Sequence, residues 1–163
     1  MFDMVYNRPS WDEYFMDVVL SIAKRGTCDR GRAGAVIAKD KKILSTGYVG
    51  SPAGLPHCDD VGHQLKRVIH EDGSVSQHCT RTIHAEKNAI CQAAKHGVSI
   101  DGGTVYTNFT PCKNCAMALI NSGIKRVVCI KKYHAASETE EMFKQAGVQL
   151  DYFTNELETY ENQ

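Results

Sequence analysis

The sequence predicts an α/β fold, a three-layer α/β/α sandwich around a mixed five-stranded sheet, on three observations. After an opening pair of short apolar segments, strand-like and helix-like segments alternate, which is the pattern of helices packed on both faces of a sheet. The chain has 163 residues, 42% hydrophobic and 23% charged, the size and composition of one packed core. It contains no internal repeat, Rossmann glycine fingerprint or P-loop. Residues 1–163 are therefore expected to form a single domain.

The elements follow in order. Ser10 with Glu13 three residues later makes a capping box, and Trp11, Tyr14, Phe15, Val18, Val19 and Ile22 recur at helical spacing, predicting a helix over 11–24. Segments 33–38 and 42–47, rich in Ala, Val and Ile and separated by Asp40-Lys41, read as a hairpin. Gly34 within it suggests a close backbone approach. Periodicity then disappears over 50–81, where Pro52, Gly54, Pro56, Gly62 and Gly73 punctuate a stretch holding His57, Cys58, His63, His70, His78 and Cys79. Such a segment is too long for an unpinned loop in a compact domain. Beyond it the pattern predicts a helix over 84–96, a strand over 104–108, a helix over 112–122, a strand over 127–131, a helix over 137–145 and a last strand over 148–153.

Nineteen basic residues balance nineteen acidic ones, so no global field draws the chain to a nucleic-acid polymer or an anionic membrane. Seven of the acids lie between Glu138 and Gln163 beside the single base Lys144, leaving a positive excess in the first 137 residues that suits a small anion such as a nucleotide phosphate. No run of about eighteen apolar residues exists, and the start of the chain lacks a signal-peptide pattern. A cytoplasmic setting is expected. In a reducing compartment seven cysteines point to metal ligands, catalysis or small core residues rather than disulfides.

The residues that carry chemistry are His84-Ala85-Glu86 at one predicted helix start and Pro111-Cys112-Lys113-Asn114-Cys115 at another. Residues three apart share a helix face, so Cys112 and Cys115 can converge on one ion with His84, leaving an open fourth position as in catalytic zinc sites. A helix N-terminus also favours thiolates. Zinc lowers the pKa of its water toward about 7, and Glu86 is placed to move that proton to a ring nitrogen and then to a leaving amine. His-x-Glu followed by Pro-Cys-x-x-Cys is the pattern of zinc nucleobase deaminases. A lone Cys-x-x-C pair suits a structural zinc or redox site, but a redox site leaves His84 and Glu86 without a role.

The strings 82–90, Thr-Ile-His-Ala-Glu-Lys-Asn-Ala-Ile, and 47–54, Gly-Tyr-Val-Gly-Ser-Pro-Ala-Gly, with Thr110-Pro111-Cys112 and the run 11–16, resemble the deoxycytidylate (dCMP) deaminase family over most of the chain. The resemblance implies a cytidine deaminase-like fold and hydrolysis of dCMP to dUMP and ammonia. It also implies a homo-oligomer, with a hexamer favoured, activated by dCTP with Mg2+ and inhibited by dTTP. Val49 stands where the family carries an asparagine near the sugar. Substrate-binding candidates are Ala35, Val49, Ala85, Asn88, Thr110 and Tyr133, the last beside His134 in a loop after a strand. A second, structural zinc, which several family members carry in this region, has Cys28, Cys58 and Cys79 as candidate ligands with His63 or His78. A regulatory nucleotide site is expected on Gly50, Ser51 and Gly54 with Lys24, Arg25 or Arg30. Cys91 and Cys129 read as small core residues. The alternatives are a deaminase of another base, including tRNA adenosine, a deaminase of another cytosine nucleoside or nucleotide, and a non-catalytic nucleotide-sensing zinc protein.

Overall fold

The computed structural model describes residues 6–69 and 73–158, so His70 lies outside the described residues. Helix α1 (Trp11–Ala23) begins at the capping box: the Glu13 backbone N–H donates to Ser10 Oγ and the Ser10 backbone N–H to the Glu13 carboxylate. Strands β1 (Gly34–Lys39) and β2 (Lys42–Tyr48) form the opening hairpin, turned by Asp40 and Lys41, both with positive φ. The short helix α2 (Cys58–Val61) and a separate hairpin, β3 (Leu65–Ile69) and β4 (Val75–Cys79), occupy the region without periodicity. Then come α3 (Ala85–Lys95), β5 (Thr104–Phe109), α4 (Lys113–Asn121), β6 (Arg126–Tyr133), α5 (Ser137–Ala146), β7 (Gln149–Tyr152) and a two-residue β8 (Leu157–Glu158).

The main sheet runs β2-β1-β5-β6-β7, antiparallel through β5 and parallel from β5 to β7. Strand β8 pairs with the end of β6, an addition to the expected five strands. Alternation along each strand decides what each face meets. Val36, Ala38, Tyr106 and Val128 turn toward α1, where they pack on Phe15, Met16 and Val19. Ala35, Ile37, Val105, Val127 and Cys129 turn to the other face, where Ala85, Ala89, Leu119 and Phe143 of α3, α4 and α5 cover them. Cys129 is fully buried, as expected, whereas Cys91 is exposed on α3 because its side chain faces away from the sheet.

Two glycines allow helices to sit against main chain. A Cβ on Gly34 would lie 2.7 Å from the Val19 carbonyl oxygen of α1, and one on Gly47 would lie 2.3 Å from the Ala85 carbonyl oxygen of α3. Helix α3 therefore rests on β2 backbone to backbone, which fixes where its first turn emerges. Across the opposite face, Arg126 donates to both carboxylate oxygens of Asp12 at 2.8 and 2.7 Å and to Asp151 at 2.7 Å. Tyr106 donates to the same Asp12 at 2.7 Å, tying α1 to three strands. No helix among the described residues is long and apolar enough to cross a membrane.

Candidate active site

His84 and Cys112 occupy the N-cap positions of α3 and α4 with extended backbone, and neither side chain caps its helix. Both are thereby directed away from their own helices and toward each other. Cys115 follows one turn into α4 and is fully buried. His84 Nδ1 lies 3.5 Å from Cys112 Sγ and 3.5 Å from Cys115 Sγ. With zinc–sulfur and zinc–nitrogen bonds of roughly 2.3 and 2.0 Å at a tetrahedral angle, the nitrogen and sulfur atoms should stand about 3.5 Å apart. The donor set and its spacing fit that ion.

In the absence of metal, a hydrogen bond from Cys115 and the neighbouring His84 hold the Cys112 thiol down to about 3, while the same bond to Cys112 pushes Cys115 up. Its bond to Cys112 raises His84 to about 9. Glu86, on the first turn of α3, is buried, and its burial pushes the carboxyl above the usual carboxylate range. A carboxylate whose affinity for a proton is raised by burial is suited to the accepting half of a proton shuttle.

These groups open into a cavity of about 210 Å³ whose wall includes His84, Glu86, Thr107, Thr110, Cys112, Val49 and Tyr133. Thr110 and Tyr133 are fixed by a chain of bonds: the Tyr133 backbone N–H donates to Thr110 Oγ1 at 3.0 Å, that hydroxyl lies 3.1 Å from Tyr152 Oη, and Tyr152 donates to Glu140 at 2.9 Å. The candidates Ala35, Ala85 and Asn88 are not among the side chains lining this cavity. Ala35 and Ala85 are fully buried in the helix-packed core, and Asn88 donates its amide to the Tyr48 carbonyl at 3.0 Å, securing α3 to the end of β2. Phe109, Thr82 and Gln77 belong to the wall and were missed, because they come from a strand end and from segments with no periodicity.

Three of the remaining cysteines also meet. Cys28, Cys58, Cys79 and His63 place one ligand atom each within 4.8 Å of one another. Cys28 Sγ is 3.6 Å from His63 Nδ1, and Cys58 and Cys79 are 3.5 Å apart through sulfur. His63 Nε2 bonds Asp29 at 2.9 Å, the carboxylate–imidazole pairing that orients metal-binding histidines. Burial pushes Cys28 up and Cys58 up to about 12. At Cys79 burial is outweighed by the backbone N–H groups of Arg81 and Gln64 and by Cys58, which bring it to about 7. His78, the other candidate, is not in this cluster: alternation along β4 turns it away from Cys79, and its Nε2 meets Ser76 Oγ at 2.8 Å.

Of the residues expected at a regulatory site, Lys24 and Arg25 end α1 exposed, and the Thr27 N–H bond to the Val49 carbonyl at 2.9 Å brings that end near Gly50. Gly54 is exposed with positive φ, and Ser51 Oγ is buried without a hydrogen-bond partner among the described residues. Arg30 departs from this group. It lines the cavity that holds Glu86, because its guanidinium reaches across to β4 and donates to the Gln77 carbonyl at 2.9 Å.

Comparison with known proteins agrees with this geometry. The ComE operon protein 2 of Bacillus subtilis is 41% identical over 144 residues, covering 88% of this chain and 71% of that protein. The deoxycytidylate deaminase of Mycobacterium phage D29 is 36% identical over 128 residues, 77% of this chain and 98% of that one. The crystal structure of dCMP deaminase from cyanophage S-TIM5 in complex with dCMP and dUMP superimposes with a TM-score of 0.71 at 26% identity, covering 90% of this chain and 99% of that one. The family model for the cytidine and deoxycytidylate deaminase zinc-binding region matches residues 9–131, and this chain, with both helix starts and their ligand residues inside that span, belongs to that family.

Proposed function

We propose that the protein is a zinc-dependent deaminase that converts dCMP and water to dUMP and ammonia. The observation that carries this reading is the placing of a buried Glu86 in the same cavity wall as His84 and Cys112, with Cys115 completing their donor set. The names of the relatives, deoxycytidylate deaminases among them, support the substrate.

His84, Cys112 and Cys115 would hold the ion. Bound there, zinc supplies the Lewis acidity that makes water a nucleophile at neutral pH. Glu86 takes a proton on its carboxylate from the attacking water, passes it to the ring nitrogen next to the amino-bearing carbon, and returns a proton to the departing amine. Burial serves both halves of that task, since it keeps Glu86 basic enough to accept the proton and excludes bulk water from the transfer. A purely structural zinc site needs no such carboxyl, which weighs against the nucleotide-sensing alternative. Val49 is buried in the wall and presents hydrocarbon, so it offers no bond to a sugar hydroxyl.

A second zinc on Cys28, Cys58, His63 and Cys79 is part of this proposal, supported by the clustering of four donors and by the Asp29 bond to His63. Its role is structural, pinning α2 and the β3–β4 hairpin to the loop before β1. The unpartnered Ser51 hydroxyl supports a regulatory nucleotide, dCTP with Mg2+ or dTTP, in the Gly50–Gly54 loop of a homo-oligomer. Measuring sedimentation and rate with and without dCTP–Mg2+ tests it, and no change in either refutes it.

The main test is ammonia release from dCMP, CMP, deoxycytidine and cytidine by zinc-loaded protein, with Glu86→Gln alongside. Fast release from dCMP, abolished in Glu86→Gln while zinc stays bound, is expected. Full activity of Glu86→Gln would overturn the mechanism, and silence of the wild type on dCMP would overturn the substrate.

A further inference from the structure

We propose that Tyr152 is a positioning residue for the substrate wall: it orients a one-way chain of hydrogen bonds that fixes where Thr110 and Tyr133 stand. This rests on the deaminase reading of the site. Thr110 and Tyr133 line the cavity beside Glu86, yet they come from neighbouring strands that diverge there. The last pairing of β5 with β6 joins Phe109 to Lys131, after which the chain leaves β5 for Cys112 and the start of α4. Strand β6 runs on and pairs with β8, the Lys132 N–H donating to the Glu156 carbonyl at 3.3 Å. The next N–H, that of Tyr133, has no β5 carbonyl to meet, and the Thr110 hydroxyl accepts it instead at 3.0 Å. A side chain thus replaces the missing rung of the ladder at the point where the wall begins.

Counting hydrogens gives the chain its direction. A tyrosine hydroxyl has a single hydrogen, and Tyr152 donates it to Glu140 Oε1 at 2.9 Å. At the 3.1 Å contact between the two hydroxyls Tyr152 is therefore the acceptor and Thr110 the donor. A lone pair of Thr110 Oγ1 remains for the Tyr133 N–H. Lys132 Nζ meets the two carboxylate oxygens of Glu140 at 2.8 and 2.9 Å and holds that carboxyl below the usual range, so the chain ends on an anion. The anion polarises each hydroxyl before it and strengthens the bond at the wall. Thr110 is buried, so losing its acceptor at Tyr152 carries a desolvation cost that reorienting the hydroxyl must relieve. The donor set and Glu86 lie outside the chain, at the starts of α3 and α4. Tyr152 accordingly governs how well the wall fits the nucleotide rather than the chemical step.

The test compares zinc-loaded wild type with Tyr152→Phe, Thr110→Val and Thr110→Ser. Phenylalanine keeps the ring packed against the core and removes the hydroxyl alone. In Tyr152→Phe, KM for dCMP and the Kd of dUMP by titration calorimetry should each rise about 10-fold, with kcat within about twofold of wild type and bound zinc unchanged. Thr110→Val should lose at least as much, and adding Tyr152→Phe to it should change nothing further, because both cut one chain. Thr110→Ser keeps the hydroxyl and should stay near wild type. Exchange of the Tyr133 amide hydrogen, followed by NMR, should quicken about 10-fold in Tyr152→Phe. Unchanged KM and dUMP affinity in Tyr152→Phe, or a loss carried by kcat or by departed zinc, would overturn the assignment. A wild type that neither deaminates a cytosine substrate nor binds dUMP would instead refute the deaminase reading, and unchanged Tyr133 exchange in Tyr152→Phe would still overturn the chain.

Discussion

Replacing Gly47 by alanine tests the contact on which the site's position depends. The added Cβ would lie 2.3 Å from the Ala85 carbonyl oxygen, 2.4 Å from the Ala89 nitrogen and 3.0 Å from the Asn88 carbonyl carbon. All three are main-chain atoms of α3, which no rotamer change can move. Restoring ordinary contact near 3.4 Å requires helix and strand to part by about 1 Å. Gly47 does not have a positive φ, so alanine is unstrained there and would gain roughly 0.4–1 kcal/mol from a less flexible unfolded chain. Overpacking costs about 1–3 kcal/mol, occasionally more, and separation of α3 also thins the contacts of Ala85, Ala89 and Ala93. The expected net loss is about 2 kcal/mol in urea unfolding of the zinc-loaded protein. A 1 Å shift at the start of α3 displaces His84 and Glu86 together and should lower kcat/KM by roughly 100-fold. Gly97→Ala serves as the control: φ is +66° and no atom lies within 4 Å of the new methyl, so it should cost about 1 kcal/mol of stability and leave turnover alone. A Gly47→Ala protein as stable and active as wild type would refute the argument.

Other expectations are independent of that one. On the two-ion proposal, Cys58→Ser should lower the zinc measured by atomic absorption from two ions per chain to one. Arg126 beside Asp12 holds that carboxyl below the usual range, so its stabilising bond is fully present above about pH 4 and is lost as pH falls through the lowered folded-state value. Asp12→Asn should therefore cost about 1–3 kcal/mol at pH 7, and the gap from wild type should close progressively below pH 4 in acid denaturation curves. Phe143→Ala, at a fully buried position where α5 meets the sheet, should cost about 3–5 kcal/mol in the same unfolding assay, with zinc binding retained at low temperature.

The main helices and the core strands were legible to within one or two residues because each helix has one buried face, whereas β1, β5 and the start of β6 are short runs buried on both. The capping box at Ser10 and Glu13 set the start of α1, and Gly97, Gly123 and Gly147, all with positive φ, follow the ends of α3, α4 and α5. The β3–β4 hairpin was not legible. All five residues of β3 are exposed, so the strand carries no apolar alternation for a sequence pattern to record. The triad and Glu86 were legible because short-range motifs at two helix starts specify them. The second cluster was legible only in its cysteines: choosing His63 over His78 depends on which face of β4 turns inward, and that follows from tertiary anchoring. The place of Arg30 in the cavity wall was not legible for the same reason, since the Gln77 carbonyl it bonds lies 47 positions away in that hairpin.

The use of His84 and Cys112 as N-caps that do not cap implies a conflict between folding and chemistry at these two positions. A serine, threonine, aspartate or asparagine there would bond the free amides of the first turn and stabilise each helix by roughly 1 kcal/mol. Cys112→Ser should accordingly yield a metal-free protein sturdier than metal-free wild type and devoid of turnover. Selection for heat resistance alone would erode this site, and only selection that includes the loaded ion can retain it.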